Sequence, residues 1–261
     1  MTEKPDWVAS IKGLLIDLDG TLYVGDRLID GASEAVKHLK DAGHPLRFTT
    51  NTTTRSLASL YNKLTKLGLP VEESEVFGVI RAAVAYLHSK EEPRCHLLVS
   101  DGPKVDFAEF PQDDRNPEIV VIGDVGKTWD YQLMHRLFEM VMNGAEIVAL
   151  HKGKYWETEQ GLRVDMGAFI AGLEYVTDKT ATVIGKPSET FFRLALDDLG
   201  LPADQVAVVG DDLASDIGGA QRVGMHGILV RTGKYRESYV TGSPIQPDLM
   251  LDSAADLVKI F

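Results

Sequence analysis

The sequence predicts an α/β fold, a doubly wound parallel-sheet core into which a second, smaller α/β domain is inserted. Two observations predict it. Short apolar runs alternate with stretches of helical spacing, the pattern of strands buried on both faces and joined by crossover helices. The same alternation recurs through a middle segment of about 100 residues, longer than any single crossover connection needs.

The elements follow in order. Residues 11–17 read as a buried strand. Residues 33–40 place Ala35, Val36 and Leu39 on one face and stop at Gly43, a helix with a glycine ending. Residues 46–50 are a second strand. Residues 54–67 space Leu57, Leu60, Tyr61, Leu64 and Leu67 as a helix closed by Gly68. A further helix is expected from about Val79 to His88. In the middle, strands are expected at 96–99, 119–122 and 147–150, with helices at 131–142 and 166–175. The last part predicts strands at 181–185, 206–210 and 227–230, with helices at 189–199 and 215–223. Polar stretches at 89–93 and 177–180 suit linkers. They divide the chain into a core of residues 1–90 and 180–261 and an inserted domain of residues 91–179.

Composition narrows the function classes. The 261 residues are 44% hydrophobic and 25% charged, which is ordinary for a globular protein and excludes disorder. With 27 Lys+Arg against 39 Asp+Glu the net charge is −12. That disfavours nucleic acid and anionic membranes as partners, although local cations can still hold a small anionic substrate. The single cysteine, Cys95, excludes an internal disulfide. No apolar run approaches the ~20 residues of a membrane span, and the start shows no apolar leader. The expectation is a cytoplasmic protein.

Parallel sheets bind ligands beyond the carboxyl ends of their strands, and polar groups gather there. The first strand ends Asp17-Leu-Asp19-Gly. Two carboxylates at i and i+2 share one side of a strand end and repel, so the pair calls for a cation, most naturally Mg²⁺. By itself the stretch also reads as an acidic turn. The second strand ends at Thr50-Asn51, hydroxyl, amide and free N–H groups that suit a phosphate and equally suit a helix cap. Lys186 follows the strand at 181–185, where it could neutralise a phosphoryl oxygen or lie on the surface. Asp211 follows four apolar strand residues, a place for a metal ligand, with Asp212 and Asp216 as supporting acceptors or helix caps.

Together these groups fit one reaction. Asp17-Leu-Asp-Gly-Thr, Thr50-Asn51, Lys186-Pro187 and Gly210-Asp-Asp-x3-Asp216 resemble, in order and strand context, the motifs of the haloacid dehalogenase-like phosphatase superfamily. The resemblance implies a Rossmann-like core and a phosphatase that forms an aspartyl-phosphate on Asp17. Asp19 would then act as general acid and base. Mg²⁺ would be held by Asp17, Asp19 (through its backbone carbonyl) and Asp211, with Thr50, Asn51 and Lys186 binding the phosphoryl group. A second aspartate is absent from the dehalogenases and replaced by threonine in related cation pumps, so Asp19 points to a hydrolase that turns over.

Spacing narrows the class. Asp17 to Thr50 is 33 positions, one strand–helix–strand unit, whereas Thr50 to Lys186 is 136. An insertion between those motifs resembles the C2-capped members, subclass IIA. In them the corresponding loop faces the substrate, which implies that place for His151 and Lys152, although the stretch by itself reads equally as a basic surface loop; dimerisation through the cap is common among them. The implied substrate is a small phosphorylated metabolite: a phosphomonoester, pyrophosphate or a phosphoamide. Two other classes stay open: a phosphotransferase or phosphomutase, and a non-catalytic phosphoacceptor or ligand-binding module. Residues 122–128 are not a P-loop, because Val121 stands where its first glycine belongs. No G-x-G-x-x-G follows the first strand, which disfavours a dinucleotide oxidoreductase.

Overall fold

The structure is a computed structural model describing residues 4–158 and 161–261. The first part of the chain forms β1 (Gly13–Asp17), β2 (Tyr23–Val24), β3 (Arg27–Leu28), α1 (Ala32–Asp41), β4 (Leu46–Thr50), α2 (Leu57–Lys66), β5 (Val76–Gly78) and α3 (Val79–His88). The middle forms β6 (Cys95–Leu98), β7 (Ile119–Ile122), α4 (Tyr131–Met142), β8 (Glu146–Ala149), β9 (Tyr155–Thr158), β10 (Gly161–Val164), α5 (Gly167–Thr177) and β11 (Thr182–Val183). The last part forms α6 (Glu189–Leu199), β12 (Val206–Gly210), α7 (Gly219–Arg222), β13 (His226–Val230), α8 (Glu237–Thr241) and β14 (Leu249–Leu251).

Two compact units result. The first comprises residues 1–50, 58–78 and 186–261. Its six-stranded sheet has the order β14-β13-β12-β1-β4-β5, and every pair is parallel. From β1 the chain moves one way to β4 and β5. It later returns on the other side of β1 and moves away through β12, β13 and β14. Right-handed crossovers therefore place helices on both faces, and the winding direction reverses beside β1. Every residue of β1 and of β12 is buried, as the all-apolar runs Leu14–Ile16 and Val206–Val209 require. Register sets Asp17 beside Thr49 and Ile16 beside Val209, so the ends of β1, β4 and β12 are level.

The second unit comprises residues 51–57 and 79–185. It holds a parallel sheet of order β11-β8-β7-β6 and the antiparallel hairpin β9–β10. Val120, Ile122, Ile147 and Ala149 of the sheet pack with Leu133, Leu137, Ile170 and Leu173 of α4 and α5. The N-cap of α4 is Asp130, whose side chain accepts from Leu133 N at 2.7 Å.

The sequence pattern does not mark β2, β3, β5, β9, β10, α8 or β14, and four elements that it does mark sit differently from the expectation. The strand before Lys186 is β11, and it belongs to the second sheet. Its partner is β8, and the pairing continues through Ile184 N to Ala149 O and Gly185 N to Leu150 O. Helix α3 groups with the second unit because Tyr86 Oη donates to Glu146 Oε1 on β8 at 2.5 Å and Lys90 Nζ to Glu146 Oε2 at 3.1 Å. Helix α2 begins at Leu57, three residues later than its periodicity suggests. The helix expected at 215–223 is a widened turn, Leu213–Gly218, followed by α7 alone. The turn opens because Asp212 Oδ1 accepts from Ala214 N and Ser215 N while Asp216 is drawn back to Asp212 N.

Candidate active site

The level ends of β1 and β12 bring charge together beside the reversal point. The Lys186 amine lies 2.5 Å from Asp17 Oδ1 and 2.7 Å from Asp216 Oδ1. It also lies 3.5 Å from Thr49 Oγ1. All three charged residues are buried: Lys186 is 5% exposed, Asp17 7% and Asp216 1%. An ammonium buried here is tolerable only because two carboxylates flank it. Thr21 Oγ1 donates to the other Asp17 oxygen at 3.4 Å.

Asp211, the residue after β12, is fixed from behind. Its Oδ2 accepts from Lys234 N at 2.6 Å, so Oδ1 remains for another partner. The anchoring loop after β13 is tied to the loop after β1, since Thr232 Oγ1 donates to Gly20 O at 2.5 Å. Two glycines make this approach feasible. A Cβ at Gly20 (φ +91°) or at Gly233 (φ +56°) would stand 2.0 Å from Asp211 Oδ2, and both φ values are positive, as only glycine adopts without strain. Lys234 Nζ also donates to Asp212 Oδ2 at 3.2 Å.

Burial and crowding change the acid strengths. Burial raises the Asp17 carboxyl above the ordinary aspartate range, against the lowering effect of Lys186. Burial opposes the Lys186 charge, but Asp17 and Asp216 overcome it and hold the amine above the usual lysine range. Asp211 and Asp216 are each pushed up to about 6, mainly by burial. Lys234 acts against this at Asp211, and Lys186 acts against it at Asp216.

A divalent cation fits this donor set. Carboxylate oxygens of Asp17, Asp211 and Asp216 all lie within 4.8 Å of one another. They are hard oxygen donors with surplus negative charge, the chemistry that Mg²⁺-like ions satisfy. Asp216 already serves Lys186 with Oδ1 and Asp212 N with Oδ2. Asp211, held only through Oδ2, offers the less occupied carboxylate, and Asp17, whose second oxygen meets only the long 3.4 Å contact from Thr21, comes next, with Asp216 as the counter-charge of Lys186.

The other residues singled out in the sequence fall as follows. Asp19 is exposed beside the cluster, and Tyr23 Oη donates to its Oδ2 at 3.0 Å. Thr50 is buried at the end of β4. Asp212 caps the turn after β12. Asn51, His151 and Lys152 belong to the second unit. There a Cβ on Gly185 would lie 2.8 Å from Asn51 Oδ1. His151 Nδ1 accepts from Gly153 N at 3.2 Å. Burial holds this imidazole below its ordinary pKa, against the pull of Asp165 and Asp124. The Lys152 amine is ion-paired to Glu174 on α5 at 2.5 Å. Sequence reasoning gave Gly233, Lys234 and Tyr23 no role in the site. The Gly233-Lys-Tyr triplet after an apolar strand carried the only available signal.

The chain is similar to known proteins over most of its length. The haloacid dehalogenase-like hydrolase family model matches residues 14–110, and a HAD-hydrolase-like model matches residues 183–257. The human haloacid dehalogenase-like hydrolase domain-containing protein 2 is 42% identical over 229 residues, covering 88% of this chain and 87% of that one. The human phospholysine phosphohistidine inorganic pyrophosphate phosphatase is 37% identical over 259 residues, covering 97% and 95%. Among solved structures, the 4-nitrophenylphosphatase of Thermotoga maritima superposes with a TM-score of 0.89 at 25% identity, covering 98% of this chain and 99% of that one.

The buried ion triad makes a stability prediction. Lys186→Met leaves two buried carboxylates without their ammonium and should cost about 3–5 kcal/mol in metal-free protein near neutral pH. Adding Asp216→Asn should recover part of that loss. Urea unfolding of both variants checks this, and a loss for Lys186→Met below about 1 kcal/mol would contradict the pairing.

Proposed function

The chain belongs to the haloacid dehalogenase-like hydrolase family and is a phosphatase, and we propose that it hydrolyses a small phosphorylated metabolite, with Mg²⁺, through an aspartyl-phosphate on Asp17. The observation that carries the reading is the Lys186 amine held between Asp17 and Asp216, with the Asp211 carboxylate in the same cluster.

Asp17 supplies the nucleophile. Its carboxylate oxygen attacks phosphorus as the bond to the leaving oxygen breaks. Lys186 keeps Asp17 ionised despite burial, and with Thr50 it faces the charge that spreads over the phosphoryl oxygens. Asp19 carries the proton to the leaving oxygen. As a carboxylate it then takes a proton from the water that attacks the phosphoenzyme, which restores Asp17 and returns Asp19 to its acid form. Asp17 and Asp211, with the Asp19 backbone carbonyl, would hold Mg²⁺. The ion would lessen the repulsion between the anionic nucleophile and the phosphate. Asp212 and Asp216 would keep the turn after β12 in place.

The substrate class rests on the leaving group. A phosphomonoester, pyrophosphate or a phosphoamide would each take a proton from Asp19 on departure. The name of the human pyrophosphate phosphatase relative supports including the last two in a substrate panel.

Two outcomes are expected. Purified protein should hydrolyse p-nitrophenyl phosphate when Mg²⁺ is added, and Asp17→Asn should lower kcat by at least about a thousandfold while retaining the fold by circular dichroism. Retained turnover in that variant would refute the nucleophile assignment. Protons and Mg²⁺ compete for Asp211, whose carboxyl burial pushes up to about 6 in the folded protein. As pH falls through that value the group protonates and cation binding weakens. The rise in Tm on adding Mg²⁺ should therefore be large at about pH 7.5 and small at about pH 5. An equal rise at both would contradict the ligand set.

A further inference from the structure

We propose that Tyr23 is a positioning residue that decides which oxygen of Asp19 carries the transferred proton, and that Lys63 strengthens its hold. The inference rests on the reading of Asp19 as proton donor.

Tyr23 is 1% exposed, and a buried phenol hydroxyl needs a partner. Its Oη donates to Asp19 Oδ2 at 3.0 Å. The backbone gives the ring little freedom. Tyr23 N donates to Leu18 O, Tyr23 O accepts from Gly20 N at 2.7 Å, and Tyr23 pairs with Leu28 across the β2–β3 hairpin. The phenol therefore approaches Asp19 from a fixed direction, while Asp19 itself lies at the surface. The Lys63 amine on α2 stands 4.1 Å from the centre of the Tyr23 ring, and its side chain is only 18% exposed. A cation over the ring face draws electron density from it and makes the hydroxyl a stronger donor.

The chemical consequence concerns Asp19. A protonated carboxyl has one hydroxyl oxygen and one carbonyl oxygen. With the phenol donating to Oδ2, that oxygen is the acceptor and the proton resides on Oδ1. When the P–O bond breaks, the Oδ1 proton passes to the leaving oxygen while the new bond from Asp17 to phosphorus forms. Asp19 becomes a carboxylate, and the bond from Tyr23 becomes charge-assisted and stronger. The interaction thus tightens as the acid step proceeds, which is how a hydrogen bond accelerates a reaction rather than merely holding its reactant.

Leaving-group dependence separates this role from packing. Nitrophenolate departs without a proton, whereas an alkoxide requires one, and kcat/KM covers the steps through phosphoenzyme formation. The experiment measures kcat/KM with Mg²⁺ for p-nitrophenyl phosphate and for glycerol phosphate in wild type, Tyr23→Phe, Lys63→Met and Asp19→Asn. Tyr23→Phe should lower the glycerol phosphate value by about tenfold or more and the nitrophenyl value by no more than about threefold. Lys63→Met should show the same bias more weakly, and it carries the test if Tyr23→Phe does not fold. Asp19→Asn should show the bias most strongly. A biased Asp19→Asn with an unbiased Tyr23→Phe and Lys63→Met would overturn the role of Tyr23 alone. An unbiased Asp19→Asn would overturn the proton-donor reading and the present inference with it.

Discussion

The site depends on one buried ammonium placed between two buried carboxylates. Asp17, Asp211 and Asp216 converge where β1 and β12 end level with one another, and each would resist ionising there. Lys186 is what lets Asp17 and Asp216 remain charged without water. The remaining surplus of negative charge is what fits a divalent cation. One electrostatic constraint therefore connects the sheet order, the burial of the strand ends and the chemistry proposed for them. The backbone serves the same constraint from the other side, since Lys234 N anchors Asp211 and only glycine at 20 and 233 lets it come so close.

The fold was legible where its signal is local. All-apolar runs marked β1 and β12, and glycine-terminated periodic stretches marked α1 and α2. Signals failed where tertiary context decides. The run at 181–185 looks like any buried strand, and nothing within it reveals that its hydrogen bonds go to β8. Likewise the apolar face of α3 does not announce that Tyr86 will meet Glu146, sixty residues away. Residues 215–223 carry a helical pattern, but the pull of Lys186 and Asp212 N on Asp216 outweighs it locally.

The site was legible in the same uneven way. Asp17, Lys186 and Asp211 stand directly after apolar runs or beside a proline; each alone also reads as a turn or surface residue, and it is their shared order and strand context that made them legible. Asp216 was expected in a supporting place, whereas its carboxylate shares the cluster and faces Lys186. Gly233 and Lys234 act through a missing side chain and a main-chain N–H, for which the Gly-Lys-Tyr triplet after an apolar strand is a weak signal. Tyr23 shows the same limit. An aromatic four positions after Asp19 reads as core, and its burial agrees, yet its hydroxyl reaches a carboxylate at the surface.

Trapping the covalent intermediate tests the central claim most directly. Asp19→Asn protein, in which removal of the water-activating carboxylate should let the intermediate accumulate, would be mixed with p-nitrophenyl phosphate and Mg²⁺ and quenched in acid. Peptide mass spectrometry would then locate the phosphoryl group. The account predicts an acyl-phosphate on Asp17, cleaved by hydroxylamine. A phosphoryl group on any other residue would contradict it, as would nitrophenol release with no covalent adduct at any time point.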